Sequence, residues 1–250
     1  MNIVTCHDAK ALGKRAADDG AELIRKTLWS HGLCNIILAT GTSQLETLDA
    51  LTAAQGIDWS KVTCFHLDEY IGLPATHPAS FRHYLKRQFA DKVKPRMFHY
   101  IQGDARDVHA ERRRIGYHLS MHPISVAFIG IGENGHLAFN DPPADFYTEE
   151  PFIVVELDRA CRQQQVNEGW FKSVSEVPAY AITMSIPWIM RAQHIICSVP
   201  EQRKAQAVLE ATKGEVTPDV PASILQQHPN VHLYLDRASA SMLNAKPVKA

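Results

Sequence analysis

Groups able to move protons are densest between Phe128 and Pro142, which reads F-I-G-I-G-E-N-G-H-L-A-F-N-D-P. An apolar run, Val126 to Ile129, empties into a turn holding three glycines, followed by His136, Asn140 and Asp141. Glycines let backbone approach a neighbour closely, and a histidine titrates near neutrality. His136 is therefore a candidate general acid/base, with Asn134 and Asp141 placed to orient its imidazole and relay a proton. The G-x-G-x-x-G spacing is a weak dinucleotide fingerprint here, because no helix pattern opens from it. Asp68 and Glu69 sit at the exit of another apolar run, and a partly desolvated carboxylate at a strand's carboxyl end can serve as general base. Thr40-Gly41-Thr42-Ser43 lies between a strand pattern and a helix pattern, where backbone N–H groups and hydroxyls attract an anion. Lys204, near the start of a late helix, can reach a phosphate as a point charge. Each residue also has a plain structural reading: N-capping by Thr42 or Ser43, a solvated loop for the acids, a packed histidine and a surface lysine.

The elements that must position these groups alternate along the chain. Residues 7–31 have a 3.6-residue apolar period through Leu12, Ala16, Leu23, Ile24 and Leu28, and Gly32 marks the stop. Asn35–Ala39 and Val62–Leu67 read as buried strands, with a helix carrying Leu45, Leu48 and Leu51 between them. His77-Pro78-Ala79-Ser80 opens a further helix carrying Phe81, Tyr84, Leu85 and Phe89, and another helix spans roughly 104–120. After the central strand come strands at Ile153–Leu157, Ala181–Ser185, His194–Val199 and Val231–Leu235, with a helix over Glu201–Thr212. This order predicts an α/β fold: a mostly parallel sheet with helices on both faces, a Rossmann-like three-layer sandwich. No linker or repeat divides the chain, so the expectation is one domain over residues 1–250, with the polar stretch 142–170 as a lid over the site.

Composition narrows the function. Among 250 residues the formal net charge is −1, which gives no electrostatic case for nucleic acid or an anionic membrane. The basic runs Lys86-Arg87 and Arg112-Arg113-Arg114 are short enough to be solvated helix faces. No apolar stretch approaches the roughly 20 residues of a membrane span, and Met1–Asp8 lacks the pattern of a secretory leader. The five cysteines are scattered without C-x-x-C spacing, which favours a reducing, cytoplasmic setting. The histidines lack zinc-motif spacing, so neither metal nor cofactor is expected. No G-x-S-x-G elbow is present. What remains is acid/base catalysis on a small, phosphate-anchored molecule.

Four motifs then match a known family in order: Leu38-Ala39-Thr40-Gly41-Thr42; Leu67-Asp68-Glu69-Tyr70-Ile71-Gly72-Leu73-Pro74 with His77-Pro78-Ala79-Ser80; Gly130 to Asn140; and Gln202-Arg203-Lys204-Ala205. Pro221-Ala222-Ser223-Ile224-Leu225-Gln226 is a weaker fifth. The chain resembles the glucosamine-6-phosphate deaminase (isomerase) family, which shares its fold with 6-phosphogluconolactonases. D-E-Y with G-H-x-A-F-N looks like the deaminase branch. The resemblance implies conversion of glucosamine-6-phosphate and water to fructose-6-phosphate and ammonia, without a cofactor. It implies His136 as the ring-opening group, oriented by Asn134 and Asp141, and Asp68 as the C2-to-C1 base. Thr40, Gly41, Thr42, Ser43 and Lys204 would hold the phosphate. A lactonase, a galactosamine-6-phosphate isomerase and a non-catalytic sugar-phosphate sensor are the alternatives, and a homo-oligomer is permitted. Three positions depart from the family pattern. Asp141 stands where many members have glutamate. The phosphate loop reads T-G-T-S-Q rather than T-G-G-T-P. Val166–Phe171 lacks the arginine members often carry in an N-x-R-F-F segment, leaving Arg159 or Arg162 as candidates to replace it.

Overall fold

In a computed structural model, which describes residues 1–243, ten strands and eight helices follow the expected alternation; the last seven residues of the expected 1–250 domain lie outside the described residues. The elements are β1 (Asn2–Cys6), α1 (Ala9–His31), β2 (Cys34–Leu38), α2 (Leu45–Ala53), β3 (Val62–His66), β4 (Asp68–Tyr70), α3 (Phe81–Leu85), α4 (Asp91–Val93), β5 (Met97–His99), α5 (Val108–Ser120) and β6 (Val126–Ile129). They continue with β7 (Phe152–Glu156), α6 (Arg159–Asn167), β8 (Tyr180–Met184), α7 (Ile186–Ile189), β9 (His194–Val199), α8 (Ala205–Lys213) and β10 (Val231–Asp236).

Seven strands form one parallel sheet in the order β1-β10-β9-β6-β2-β3-β5. From β2 the chain winds outward through β3 and β5, then returns to the other side of β2 with β6. The order therefore reverses between β2 and β6, and a crevice opens past the carboxyl ends of strands at such a switch point. The loops leaving these two strands are Ala39–Gln44 and Gly130–Asp141, which carry the anion-loop and histidine motifs. The strands read as continuous apolar runs because both faces are covered. Along β6, Val126 and Phe128 face one cluster with Leu12, Ala16 and Ile24 of α1 and Leu48 and Leu51 of α2. Ala127 and Ile129 face the other cluster, with Ile115 and Leu119 of α5 and Val208 and Ala211 of α8.

Helix α1 has defined ends. Asp8 accepts from Ala11 N at 2.8 Å, and Gly32 at φ 75° caps the other end by donating to Leu28 O.

The sequence expectation falls short at the second sheet. Asp68-Glu69-Tyr70 is not a loop start. It is the edge strand of a three-stranded antiparallel sheet, β4-β8-β7, and is fully buried. Strands β1 and β5 also lacked a signal, since β1 is largely exposed and β5 has only three residues at the sheet edge. Residues 142–170 hold β7, as expected, and also α6, which was not.

Backbone approach fixes where β4 lies. A Cβ on Gly103 would sit 2.0 Å from Tyr70 O and 2.8 Å from the Glu69 side chain. Gly103→Ala must therefore displace β4 itself, at a cost in the upper part of the ~1–3 kcal/mol typical of overpacking. Thermal unfolding of this variant is expected well below wild type.

Candidate active site

Most of the residues singled out in the sequence line one cleft at the switch point, open to solvent and enclosing about 570 Å³ of space that includes that opening. Thr40, Gly41, Ser43, Asp68, His136 and Lys204 all line it. Thr42, Asn134 and Asp141 are not among the lining residues.

The anion loop is built by Gly41, whose φ of 96° turns the chain from β2 into a 3-10 turn, Thr42–Gln44, leading to α2. Neither Thr42 nor Ser43 caps the helix with its side chain, so the N-capping reading fails. Gln44 is buried and donates to Ser198 O at 3.1 Å, tying the loop to the end of β9. Lys204 is only 3% exposed, which removes the surface-lysine reading. Burial, then the charge of Arg203, push its pKa down to about 8. Its ammonium has no side-chain hydrogen-bond partner among the described residues, and an arriving anion would restore its preference for the charged form.

The two acids of β4 diverge because successive strand residues point to opposite faces. Glu69 is completely buried and accepts from Ser80 Oγ at 2.8 Å, Phe81 N at 3.1 Å, Arg82 N at 2.9 Å and Arg82 Nε at 3.3 Å. Its role is structural: it seats the start of α3 and pairs with Arg82, which in turn bonds Asp104 and Leu73 O. Asp68, 5% exposed, points the other way and accepts no hydrogen bond among the described residues. Burial, then the negative Glu69, hold its pKa well above the ordinary carboxylate range. It is a carboxyl kept basic, lining the cleft.

His136 is held by its own loop. Its N–H donates to Asn134 Oδ1 at 3.1 Å, and its carbonyl accepts from Gly132 N at 3.0 Å. A Cβ at Gly132 would lie 2.3 Å from the imidazole, so the glycine is there to let the ring pack flat on backbone. Gly135 takes φ 82° to complete the turn. Asn134 Nδ2 donates to Asp141 Oδ1 at 3.1 Å, and His136 Nδ1 lies 3.2 Å from the same oxygen. That approach is within ion-pair reach but off the line of a hydrogen bond, and Nδ1 has no hydrogen-bond partner. Burial raises the Asp141 carboxyl, but His136 and Asn134 outweigh it and hold it below its usual value. The structure thus brings together the three side chains singled out from spacing, with the Asp141 carboxyl beside the imidazole.

Three lining residues had no sequence signal: Gln164, Gln165 and Glu168, from α6 and the residue that follows it. That helix is polar nearly all round, so it carried no apolar period to read. Arg159 and Arg162 are not in the lining. Arg203, next to Lys204, is instead held by Glu133, Glu168 and Glu201 at 2.6, 3.3 and 2.6 Å.

Two outcomes follow from these environments. Inorganic phosphate should bind best below pH 8 and weaken as Lys204 loses its proton above it; Lys204→Met should lose at least tenfold in affinity and flatten that dependence in calorimetric titrations. Asp68→Asn should raise thermal stability. Because the folded pKa of Asp68 is raised, its contribution is fully present below the unfolded value near 4 and is lost as pH rises toward the folded value. The variant's advantage should therefore grow with pH, to about 1–2 kcal/mol, when melting curves are compared at pH 4 and pH 8.

Comparison with known proteins places this cleft in context. A family model described as glucosamine-6-phosphate isomerases/6-phosphogluconolactonase matches residues 7–233. The chain is 38% identical to a glucosamine-6-phosphate deaminase of Lactobacillus delbrueckii subsp. bulgaricus, over 97% of this chain and 100% of that one. It is also 38% identical to one of Oenococcus oeni, over 92% of this chain and 95% of the relative. Among solved structures, a monomeric glucosamine-6-phosphate deaminase is 29% identical with a TM-score of 0.88, covering 97% of this chain and 100% of that one. A 6-phosphogluconolactonase from Shewanella baltica is 17% identical with a TM-score of 0.79, covering 94% and 97%, a likeness of fold alone.

Proposed function

The chain belongs to the glucosamine-6-phosphate isomerase/6-phosphogluconolactonase family, and we propose that it is a glucosamine-6-phosphate deaminase, converting glucosamine-6-phosphate and water to fructose-6-phosphate and ammonia. The observation that carries this reading is that one cleft is lined by an unpartnered, desolvated Asp68, a carboxylate-backed His136 and a buried Lys204.

The chemistry runs in three steps. His136, oriented by Asn134 and Asp141, moves a proton between the anomeric hydroxyl and the ring oxygen, opening the sugar. Asp68 takes the C2 proton while the aldehyde oxygen at C1 takes one from the substrate's own ammonium group, giving the enolamine, and Asp68 then returns its proton at C1. One carboxylate suffices for two adjacent carbons, and its raised pKa makes it a competent base near neutral pH. The resulting C2 imine adds water and releases ammonia, leaving the ketone. Thr40, Gly41 and Ser43, with Lys204, fix the phosphate end so that C1 and C2 come to Asp68; Thr42 adds its place in the loop backbone. Helix α6, within the stretch 142–170 expected as a lid, contributes Gln164 and Gln165 to the cleft lining.

The reading needs no partner chain, since every group named comes from one chain, and one similar structure is described as monomeric. Among the described residues no helix is long and apolar enough to cross a membrane. The cysteines are all unpaired, four of them buried, which supports the expected cytoplasmic setting.

Purified protein given glucosamine-6-phosphate should release ammonia and fructose-6-phosphate in equal amounts. Asp68→Asn should lower kcat at least a thousandfold while KM and phosphate affinity stay near wild type. Hydrolysis of 6-phosphogluconolactone with no ammonia from the amino sugar would move the protein to the lactonase branch.

A further inference from the structure

Beside the acid/base machinery lies a third potential ligand. Cys161 lies in the first turn of α6 and is 1% exposed. One donor atom from each of His136, Asp141 and Cys161 lies within 4.8 Å of the others. The sequence hid this set, since positions 136, 141 and 161 match no metal-binding spacing. We propose that His136, Asp141 and Cys161 form a binding site for a zinc-class divalent ion, and that its occupancy switches the catalytic histidine off.

Three observations carry the assignment. First, His136 Nδ1 and Asp141 Oδ2 are buried without hydrogen-bond partners, so two possible ligand atoms in this cluster are left unsatisfied. Second, Nδ1 and Asp141 Oδ1 are 3.2 Å apart but off hydrogen-bond line. Two ligand atoms each at about 2.0–2.1 Å from a tetrahedral zinc are separated by about 3.3 Å, so this pair already stands as neighbouring ligands do. The thiolate needs a shift of roughly 1 Å to close the third edge. Third, Cys161 also lines a separate opening with Asn134, Gln164 and Asn167, which gives an ion a way in other than the sugar-phosphate cleft. Nitrogen, oxygen and sulfur donors together suit zinc over magnesium or calcium. Three protein ligands leave one position for water.

Binding would replace the thiol proton of Cys161 with the metal and take both Nδ1 and the carboxylate out of the relay. His136 could then no longer shuttle a proton through an imidazole backed by Asp141. The inhibition rests on the deaminase reading above; the metal site does not.

The test uses the full chain in two arms. Cobalt(II) titration, read by thiolate-to-metal charge-transfer absorption, should give one equivalent of a thiolate complex in wild type and in Cys6→Ser, and none in Cys161→Ser or Cys161→Ala. Zinc should abolish ammonia release at one equivalent, with recovery on adding EDTA. Cys161→Ser should keep its basal turnover and need at least tenfold more zinc for half-inhibition. A cobalt–thiolate band that survives in both Cys161 variants, or its absence in wild type, overturns the site. Unchanged zinc sensitivity in Cys161→Ser overturns the switch. A protein that releases no ammonia under any condition fails the deaminase reading, and the cobalt arm still decides the site.

Discussion

Two neighbouring carboxylates, Asp68 and Glu69, are taken out of water together on a three-residue strand, and only one of them is given donors. Glu69 gathers backbone and side-chain N–H and O–H groups from Ser80, Phe81 and Arg82. That compensation makes a buried carboxylate tolerable and pins β4 against the start of α3. Asp68 receives none and carries in addition the repulsion of Glu69. The strand is thus an anchor on one face and a strong base on the other. Its position is held further by β8, whose Thr183 pairs with Asp68 in register, and by the close passage of Gly103.

The remainder of the fold brings the proposed anion site and the proposed proton shuttle to that carboxyl. The reversal of strand order between β2 and β6 leaves their two loops side by side. One becomes a backbone cradle completed by a buried lysine from β9's connection to α8; the other folds back so that His136 packs on Gly132 with Asp141 behind it. Both sets are costly to the fold. A desolvated ammonium, a desolvated carboxyl and a histidine with an unsatisfied nitrogen share one cleft, and each becomes favourable only when a substrate group supplies what the protein withholds.

Much of this was legible in the sequence. The central parallel strands β2, β3, β6, β9 and β10 are apolar along most of their length, and α1 carries both its caps in its residue types, so their order and the fold class follow from period and composition. The site motifs were legible because glycine, histidine and acid occur together where strands end. Other features had no local signature. The buried edge strand β4 reads as polar because its burial depends on Ser80 and Arg82, distant in sequence. Helix α6 has too few apolar residues to show a period, which concealed Gln164, Gln165 and Glu168. The burial of Lys204 and the meeting of Cys161 with His136 and Asp141 depend on packing between elements far apart in the chain.

The central claim is that Asp68 alone carries a proton between two adjacent carbons. It is tested most directly by turning over glucosamine-6-phosphate deuterated at C2 and locating the label by NMR in fructose-6-phosphate. A single shuttling carboxylate predicts deuterium at C1 of the product, on one prochiral face, with the shortfall matched by solvent hydrogen on that same face. Label lost wholly to solvent with protons on both faces of C1, or label retained at C1 when Asp68 is asparagine, would contradict the account.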